Sequence, residues 1–286
     1  MKKSLLTSFI SHLENTIKLP FRRVRARVLR KKIPITRTSI RYVAHRGLSA
    51  EAPENTVRAF LLAGQRGFDA METDIRRTKD GQLVLMHDDS MKRMCGVDKR
   101  ICDLTAEELA EIPVTGGRRA DEWKEDPDAR RVPDLKEYLV ICRDYDMVPM
   151  MELKDKWNLE EPLEDEYLRQ IAHEVKEVME NRPIIFVSFN LKSLIALKRV
   201  LAQEGMGDQA MIHHLVKKMD MSRLEDYMSK GIHLSIKGSS NKLRDIRRAR
   251  EAGIRLVVWT VDDEDDARLY IRERVDWLAS NRQLWS

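Results

Sequence analysis

The sequence contains no run of 18 apolar residues, so nothing in it reads as a transmembrane helix. Its three cysteines, Cys95, Cys102 and Cys142, are an odd number with no CxxC pair. That usage argues against a disulfide framework and a structural zinc site, and it suits a reducing compartment. A recognisable nucleic-acid-binding fold with interleaved aromatics is also missing, so no nucleic acid is expected as a partner. The N-terminal apolar stretch is short, is broken by His12 and Glu14, and has no small-residue cleavage site after it. It therefore does not read as a signal peptide.

What is present is the composition of a soluble globular protein of 286 residues, long enough for one barrel of about 250 residues. The net charge of +5 is uneven. Residues 1–41 hold twelve Lys/Arg against one acid, Glu14, which gives +11 there and leaves −6 on the remaining 245 residues. Leu5, Leu6, Phe9, Ile10, Leu13 and Ile17 share one helical face before Pro20, and Phe21, Val24 and Val28 repeat the theme among arginines and lysines. We divide the chain accordingly into a basic amphipathic extension, 1–38, and one domain, 39–286. The extension fits an anionic membrane surface, and it equally fits a solvated tail or a helix packed on the domain. The expected location is cytoplasmic, with the arm at the inner membrane face.

From residue 40 onward, short β-rich runs alternate with helical patterns. Strands are expected at 40–44, 70–76, 82–87, 148–153, 184–188, 209–213, 232–236, 255–260 and 276–279. Helices are expected at 55–66, 134–145, 164–181, 191–204, 221–230, 240–252 and 263–274. That rhythm predicts an α/β fold, a (β/α)8 TIM barrel. Nine strands are one too many for it. The Lys79–Gly81 connection is far too short for a parallel crossover, so 82–87 runs antiparallel at the C-terminal mouth and the other eight close the barrel. Residues 90–131 form an insertion with a short helix near 105–111, and read either as a lid or as a charged loop with no role. Asp134-x-x-Glu137 restarts the helical rhythm as an acidic capping box.

The chemistry concentrates in residues 43–88. Glu72 and Asp74 stand at i and i+2 of a strand, so both carboxylates point the same way. With the turn centred on Asp80-Gly81, His87 falls opposite Asp74, give or take one register step. Glu152 ends the next barrel strand. Three carboxylates on two neighbouring strand ends repel one another unless a cation neutralises them, which points to Mg²⁺ or Ca²⁺. His45 ends the first strand. Arg46 and Lys154 bring positive charge for a phosphate, Arg46 in bidentate fashion, although Lys154 would also simply neutralise Glu152. Asn55 is expected to cap the first barrel helix. Asp88 either orients His87 or caps a turn. Trp259 either walls the pocket or packs the barrel. His12, His173, His213, His214 and His233 are assigned structural roles.

These pieces resemble the glycerophosphodiester phosphodiesterase family: His45-Arg46-Gly47, Pro53-Glu54-Asn55-Thr56, Glu72-x-Asp74, Asp80-Gly81, His87-Asp88, Glu152-x-Lys154 and Val257-Val258-Trp259-Thr260, in that order. The resemblance runs from about residue 41 to the C-terminus. It implies a TIM barrel and metal-dependent hydrolysis of small-molecule glycerophosphodiesters to glycerol 3-phosphate and an alcohol. It also implies one divalent cation on Glu72, Asp74 and Glu152, His45 and His87 as the proton-transfer pair, and Arg46, Lys154 and Trp259 at the substrate. Which histidine is acid and which is base stays open. One departure stands out. The family's last strand resembles Gly-x-x-Thr-Asp-x-Pro, whereas here it is Trp277-Leu278-Ala279-Ser280-Asn281-Arg282-Gln283, which places the pocket shape on that side in question. Two rival readings are a lysophospholipase D-like enzyme acting on membrane lysolipids and a catalytically inactive, membrane-tethered binding barrel.

Overall fold

The computed structural model describes residues 34–154 and 161–285. Eight parallel strands close into a barrel: β1 (Arg41–Ala44), β2 (Ala70–Arg77), β4 (Val148–Leu153), β5 (Ile184–Ser188), β6 (Ala210–Val216), β7 (His233–Lys237), β8 (Leu256–Trp259) and β9 (Trp277–Ser280), with β9 pairing back to β1. The ninth strand, β3 (Leu83–Leu85), is antiparallel to the upper half of β2. β2 pairs with β1 at Ala70 and Met71 and with β3 at Ile75–Arg77, so one strand serves the barrel below and the hairpin above. The TIM-barrel expectation from the sequence holds.

The hairpin register lies one residue from the centre of the expectation, within the one step it allows. Ile75 faces Leu85, which brings Asp74 opposite Met86 rather than His87, and the Met86 N–H donates to the Asp74 carbonyl at 3.0 Å. Thr78 and Gln82 bond across a three-residue loop, Lys79-Asp80-Gly81, with Gly81 at φ +92°. A left-handed glycine closing a three-residue hairpin centres the pairing on Asp80 instead of between Asp80 and Gly81.

Side-chain alternation along each strand separates two apolar layers. Inside the barrel lie Val43, Ala70, Met150, Ile185, Val187, Leu215, Val257, Trp277 and Ala279. Outside, Tyr42, Met71, Phe186, Leu234 and Leu278 pack under the helices. The helix α1 (Val57–Gln65) lays Val57, Ala59, Phe60 and Ala63 on that outer layer, joined by the three- and four-residue steps of one helical face. Its N-terminus is capped by Thr56, whose hydroxyl accepts from Ala59 N–H. The insertion carries a small core of its own, with Met91, Met94, Ile101, Leu104, Leu109 and Val114 packed under Val84 and Met86. Within it, α2 (Lys92–Cys95) and α3 (Ala106–Ala110) pack on that core. Beyond it, α4 (Leu135–Asp144) starts with the expected Asp134–Glu137 capping box. The remaining helices, α5 (Asp165–Met179), α6 (Leu191–Gln203), α7 (Leu224–Ser229), α8 (Leu243–Glu251) and α9 (Glu264–Arg272), each precede or follow a barrel strand. Ile35 is already buried in the outer core, and Arg37 pairs with Asp69 at 2.9 Å on the face where β1 begins, opposite the mouth. The amphipathic extension before it lies outside the described residues.

Candidate active site

The site is assembled at the C-terminal ends of β1, β2 and β4, where barrel loops converge. Ala70 and Met150 point inward, so by alternation Glu72, Asp74 and Glu152 point inward too. Parallel pairing sets Asp74 beside Glu152 and Glu72 beside Met150. The result is a group of three buried carboxylates whose oxygens lie within 4.8 Å of one another. Below them, α4 sends the Tyr138 hydroxyl between the two strands, where it donates to the Met71 carbonyl and accepts from Met150 N–H at 3.1 Å. β4 carries Pro149, which has no N–H for the ladder, so this hydroxyl supplies hydrogen bonding where the ladder is poorest.

The turn after β1 wraps the cluster. Arg46 adopts φ 58°, and Gly47 adopts φ +75° where an added Cβ would lie 2.7 Å from the Ala59 carbonyl carbon. Only glycine lets the chain pass so close to α1. The Arg46 N–H then donates to Glu72 Oε2 at 2.9 Å, its Nη1 donates to Glu54 at 2.8 Å, and its Nε lies 3.5 Å from Asp74. Lys154 Nζ stands 2.9 Å from Asp74 and 2.7 Å from Glu152, so its one positive charge is shared between them while it lines the cleft.

These contacts split the three carboxyls. Burial, then the charges of Asp74 and Glu152, raise Glu72 well above the usual carboxylate range. Burial pushes Glu152 up to about 7 against the pull of Lys154. Burial acts on Asp74 as well, but Lys154, Arg46 and His87 outweigh it and hold that carboxyl well below its ordinary value. Three buried carboxylates therefore have too little positive charge among their own neighbours to be ionised together.

Each histidine has its Nδ1 held. His45 Nδ1 is 2.8 Å from Asn281 Oδ1, and that amide is fixed by Nδ2 donating to Asp262 at 2.6 Å. Oδ1 is thus the acceptor, Nδ1 carries the hydrogen, and Nε2 is left as a lone-pair acceptor. Burial, reinforced by Arg46, lowers the His45 pKa to about 4. His87 Nδ1 is 2.6 Å from the Asp88 carboxylate, which resolves the role of Asp88 as the orienting one. Burial lowers the His87 pKa, with Asp74 and Asp88 pulling the other way.

Two sequence readings need correction. Asn55 is not the cap of α1, which is Thr56; it donates from Nδ2 to Asp74 at 2.7 Å and accepts from Thr73 at 2.9 Å. The residue before the cap sits at φ 54°, and this left-handed step turns its amide into the barrel. Nor does Trp277 shape the pocket. It opens β9 at the far end of the barrel, under the Arg41 guanidinium at 5.0 Å, while Asn281 at the mouth meets His45. Trp259 ends β8, meets Phe189 edge-to-face at 6.1 Å, and its buried indole N–H has no partner among the described residues. His214 is satisfied by Tyr227 and the Phe189 carbonyl, as a structural histidine should be. Glu54, Arg93, Asp262 and Asn281 take part in the site's hydrogen bonds without having been singled out for that from sequence, since no spacing signal links residues 236 apart such as His45 and Asn281.

A barrel with a buried carboxylate cluster, paired cations and two oriented imidazoles at its mouth belongs to the phosphoric diester hydrolases. The chain is a member of the glycerophosphoryl diester phosphodiesterase family, which matches over residues 45–283. It is 28% identical to a glycerophosphodiester phosphodiesterase of Caldanaerobacter subterraneus subsp. tengcongensis over 84% of this chain and 93% of that protein. Its fold is similar to a phosphodiesterase of Oleispira antarctica in complex with the product sn-glycerol-3-phosphate (TM-score 0.72, 26% identity, 84% of this chain and 92% of that one). A glycerophosphodiester phosphodiesterase structure from Thermotoga maritima is also similar (TM-score 0.60, 25% identity, 85% of this chain and 94% of that one).

Proposed function

We propose that this protein hydrolyses glycerophosphodiesters to glycerol 3-phosphate and an alcohol, with His45 as general base, His87 as general acid and one divalent cation on Glu72, Asp74 and Glu152. The carboxylate cluster flanked by two imidazoles, each held at Nδ1, carries the reading.

The donor set fits a hard cation. Mg²⁺ and Ca²⁺ bind oxygens at about 2.0–2.6 Å, so ligand oxygens around one ion stand within about 4–5 Å of each other, and the three carboxylates meet that limit at 4.8 Å. When bound, the cation would polarise the phosphoryl oxygens and take up developing charge. Arg46 and Lys154 would hold the phosphate, and Trp259 with Phe189 would wall the glycerol side.

The tautomers support the division of labour. His45 leans on an uncharged amide and leaves Nε2 unprotonated, so it accepts the proton of the attacking hydroxyl, from water or from the substrate's glycerol. That oxygen forms a bond to phosphorus while the phosphorus–oxygen bond to the alcohol breaks. His87 leans on a carboxylate, which favours the imidazolium, and it delivers a proton from Nε2 to the departing alkoxide.

A product assay on glycerophosphocholine, glycerophosphoethanolamine, glycerophosphoglycerol and lysophospholipids, with and without chelator, tests this. Glycerol 3-phosphate released only without chelator is the expected result; turnover in excess chelator would remove the metal assignment. We read residues 39–286, with the 90–131 insertion, as the catalytic domain and residues 1–38 as an arm for anionic membrane. Among the described residues no helix is long and apolar enough to cross a membrane.

A further inference from the structure

The insertion after the hairpin has no part in the chemistry above, yet one of its side chains reaches into the site. Arg93, on α2, forks between two carboxylates: Nε donates to Asp88 Oδ2 at 2.5 Å and Nη2 donates to Glu54 Oε1 at 2.7 Å. Each carboxylate has a second partner. Asp88 Oδ1 lies 2.6 Å from His87 Nδ1, and Glu54 Oε1 accepts from Arg46 Nη1 at 2.8 Å. Nitrogen groups and carboxylates therefore alternate along one connected series, His87–Asp88–Arg93–Glu54–Arg46. The backbone that carries Arg93 is fixed as well. Thr115 N–H and Gly116 N–H both donate to the Met94 carbonyl at 2.8 Å, and a Cβ on Gly116 would lie 2.4 Å from the Arg93 carbonyl oxygen.

We propose that Arg93 is a positioning residue that holds His87 through Asp88 and Arg46 through Glu54, so that the insertion sets the geometry on both sides of the phosphate. A carboxylate bound through both oxygens cannot swing, and an imidazole bonded to it inherits that orientation. The task needs a planar fork with separated donors, which arginine has and lysine lacks. The inference rests on the reading of His87 as the acid and Arg46 as a phosphate ligand.

The test compares two esters: an alkyl glycerophosphodiester, whose alkoxide must be protonated, and a nitrophenyl glycerophosphodiester, whose leaving group needs no proton. Arg93→Gln should lower kcat on the alkyl ester by about 10–100-fold, the scale of losing an orienting partner, and raise KM on both esters. On the nitrophenyl ester kcat should stay close to wild type. Arg93→Lys should recover only part of the loss. Adding Arg93→Gln to Asp88→Asn should cost less in kcat than Arg93→Gln does alone, because both break the same link. Equal kcat losses on the two esters, or no loss, in a variant that melts like wild type would overturn the proposal. His87→Ala, measured in parallel, separates the failures. If it too shows no dependence on leaving group, the acid assignment falls and the clamp with it; if it does while Arg93→Gln does not, only the clamp falls. Asp88→Asn, nearly isosteric, keeps the test decisive should Arg93→Gln fail to fold.

Discussion

The mouth and the interior of this barrel are built from the same strands, yet they treat polar groups in opposite ways. At the mouth, Glu72, Asp74 and Glu152 crowd together and are wrapped by Arg46, Lys154 and Asn55. Two residues lower on the same strands, Ala70 and Met150 face an apolar layer. The interior holds one fully buried histidine, His213, which shares the inward face of β6 with Met211 and Leu215. Its ring stands 5.3 Å from His233, its Nδ1 lies 3.3 Å from the Leu234 carbonyl, and its Nε2 has no partner among the described residues. Burial, then His233, pushes its pKa down to about 3, further than the value of about 4 at His45. A shifted pKa therefore does not by itself mark a catalytic histidine here. All three histidines are held at Nδ1, His213 by that carbonyl. What separates the two regions is the setting, since His45 and His87 stand at the mouth beside the carboxylate cluster, with His87 lining the cleft, while His213 is enclosed in the barrel interior beside another imidazole.

The largest test of that contrast removes charge at the mouth. Glu72→Gln or Asp74→Asn should abolish activity together with its response to Mg²⁺ or Ca²⁺, and EDTA should do the same to the wild type. Activity assays across a metal titration check this, and a variant that keeps metal-stimulated turnover would break the assignment. Next, His45→Ala and His87→Ala should each lower kcat by about 10²–10⁴-fold with thermal melting nearly unchanged, whereas His213→Leu should alter melting and leave kcat at pH 7 alone. The reverse pattern would erase the distinction drawn between the two regions.

Two finer tests use pH. Asn281→Asp replaces an amide with a carboxylate beside His45, which favours the imidazolium. The acidic limb of the kcat/KM profile should move upward by about one to three pH units, and an unmoved limb would show that His45 is not the titrating base. For His213 the folded value near 3 lies below the ordinary 6.5. Between those values the unfolded chain holds a proton that the folded chain does not, so this histidine lets stability rise with pH through the window and removes it as pH falls from 6.5 toward 3. Denaturant melts at several pH values should show that slope, flattened in His213→Leu. The smallest expected effect is at the far end from the mouth. Removing residues 1–33 should leave kcat on water-soluble diesters unchanged, since Ile35 and Arg37 still dock on the barrel. It should abolish sedimentation with anionic vesicles, an interaction that salt should weaken; equal sedimentation of both forms would dismiss the membrane arm.

The barrel was legible because strand and helix periodicities are local properties, and eight βα units separated by short loops leave little choice of topology. Glu72, Asp74 and Glu152 were legible for a related reason. Their places at strand ends follow from counting residues in twos, and parallel pairing with no bulge keeps the count. The hairpin was legible to within one register step, and the left-handed Gly81 decides where in that step the turn centres. What the chain alone left open depends on contacts between distant segments. Asn55 looked like a cap because capping is local, but a left-handed backbone step sends it to Asp74. The departing last strand put the pocket shape in question until the depth of Trp277 along β9 was seen. The sequence could name two histidines but not their tautomers, because a tautomer is set by whatever meets Nδ1, and for His45 that partner is 236 residues away. Sequence alone thus determined the fold and the chemical types at the mouth, whose spacing is written in short stretches of chain. Only the tertiary structure decided orientation and protonation, since both are set by groups that folding brings together.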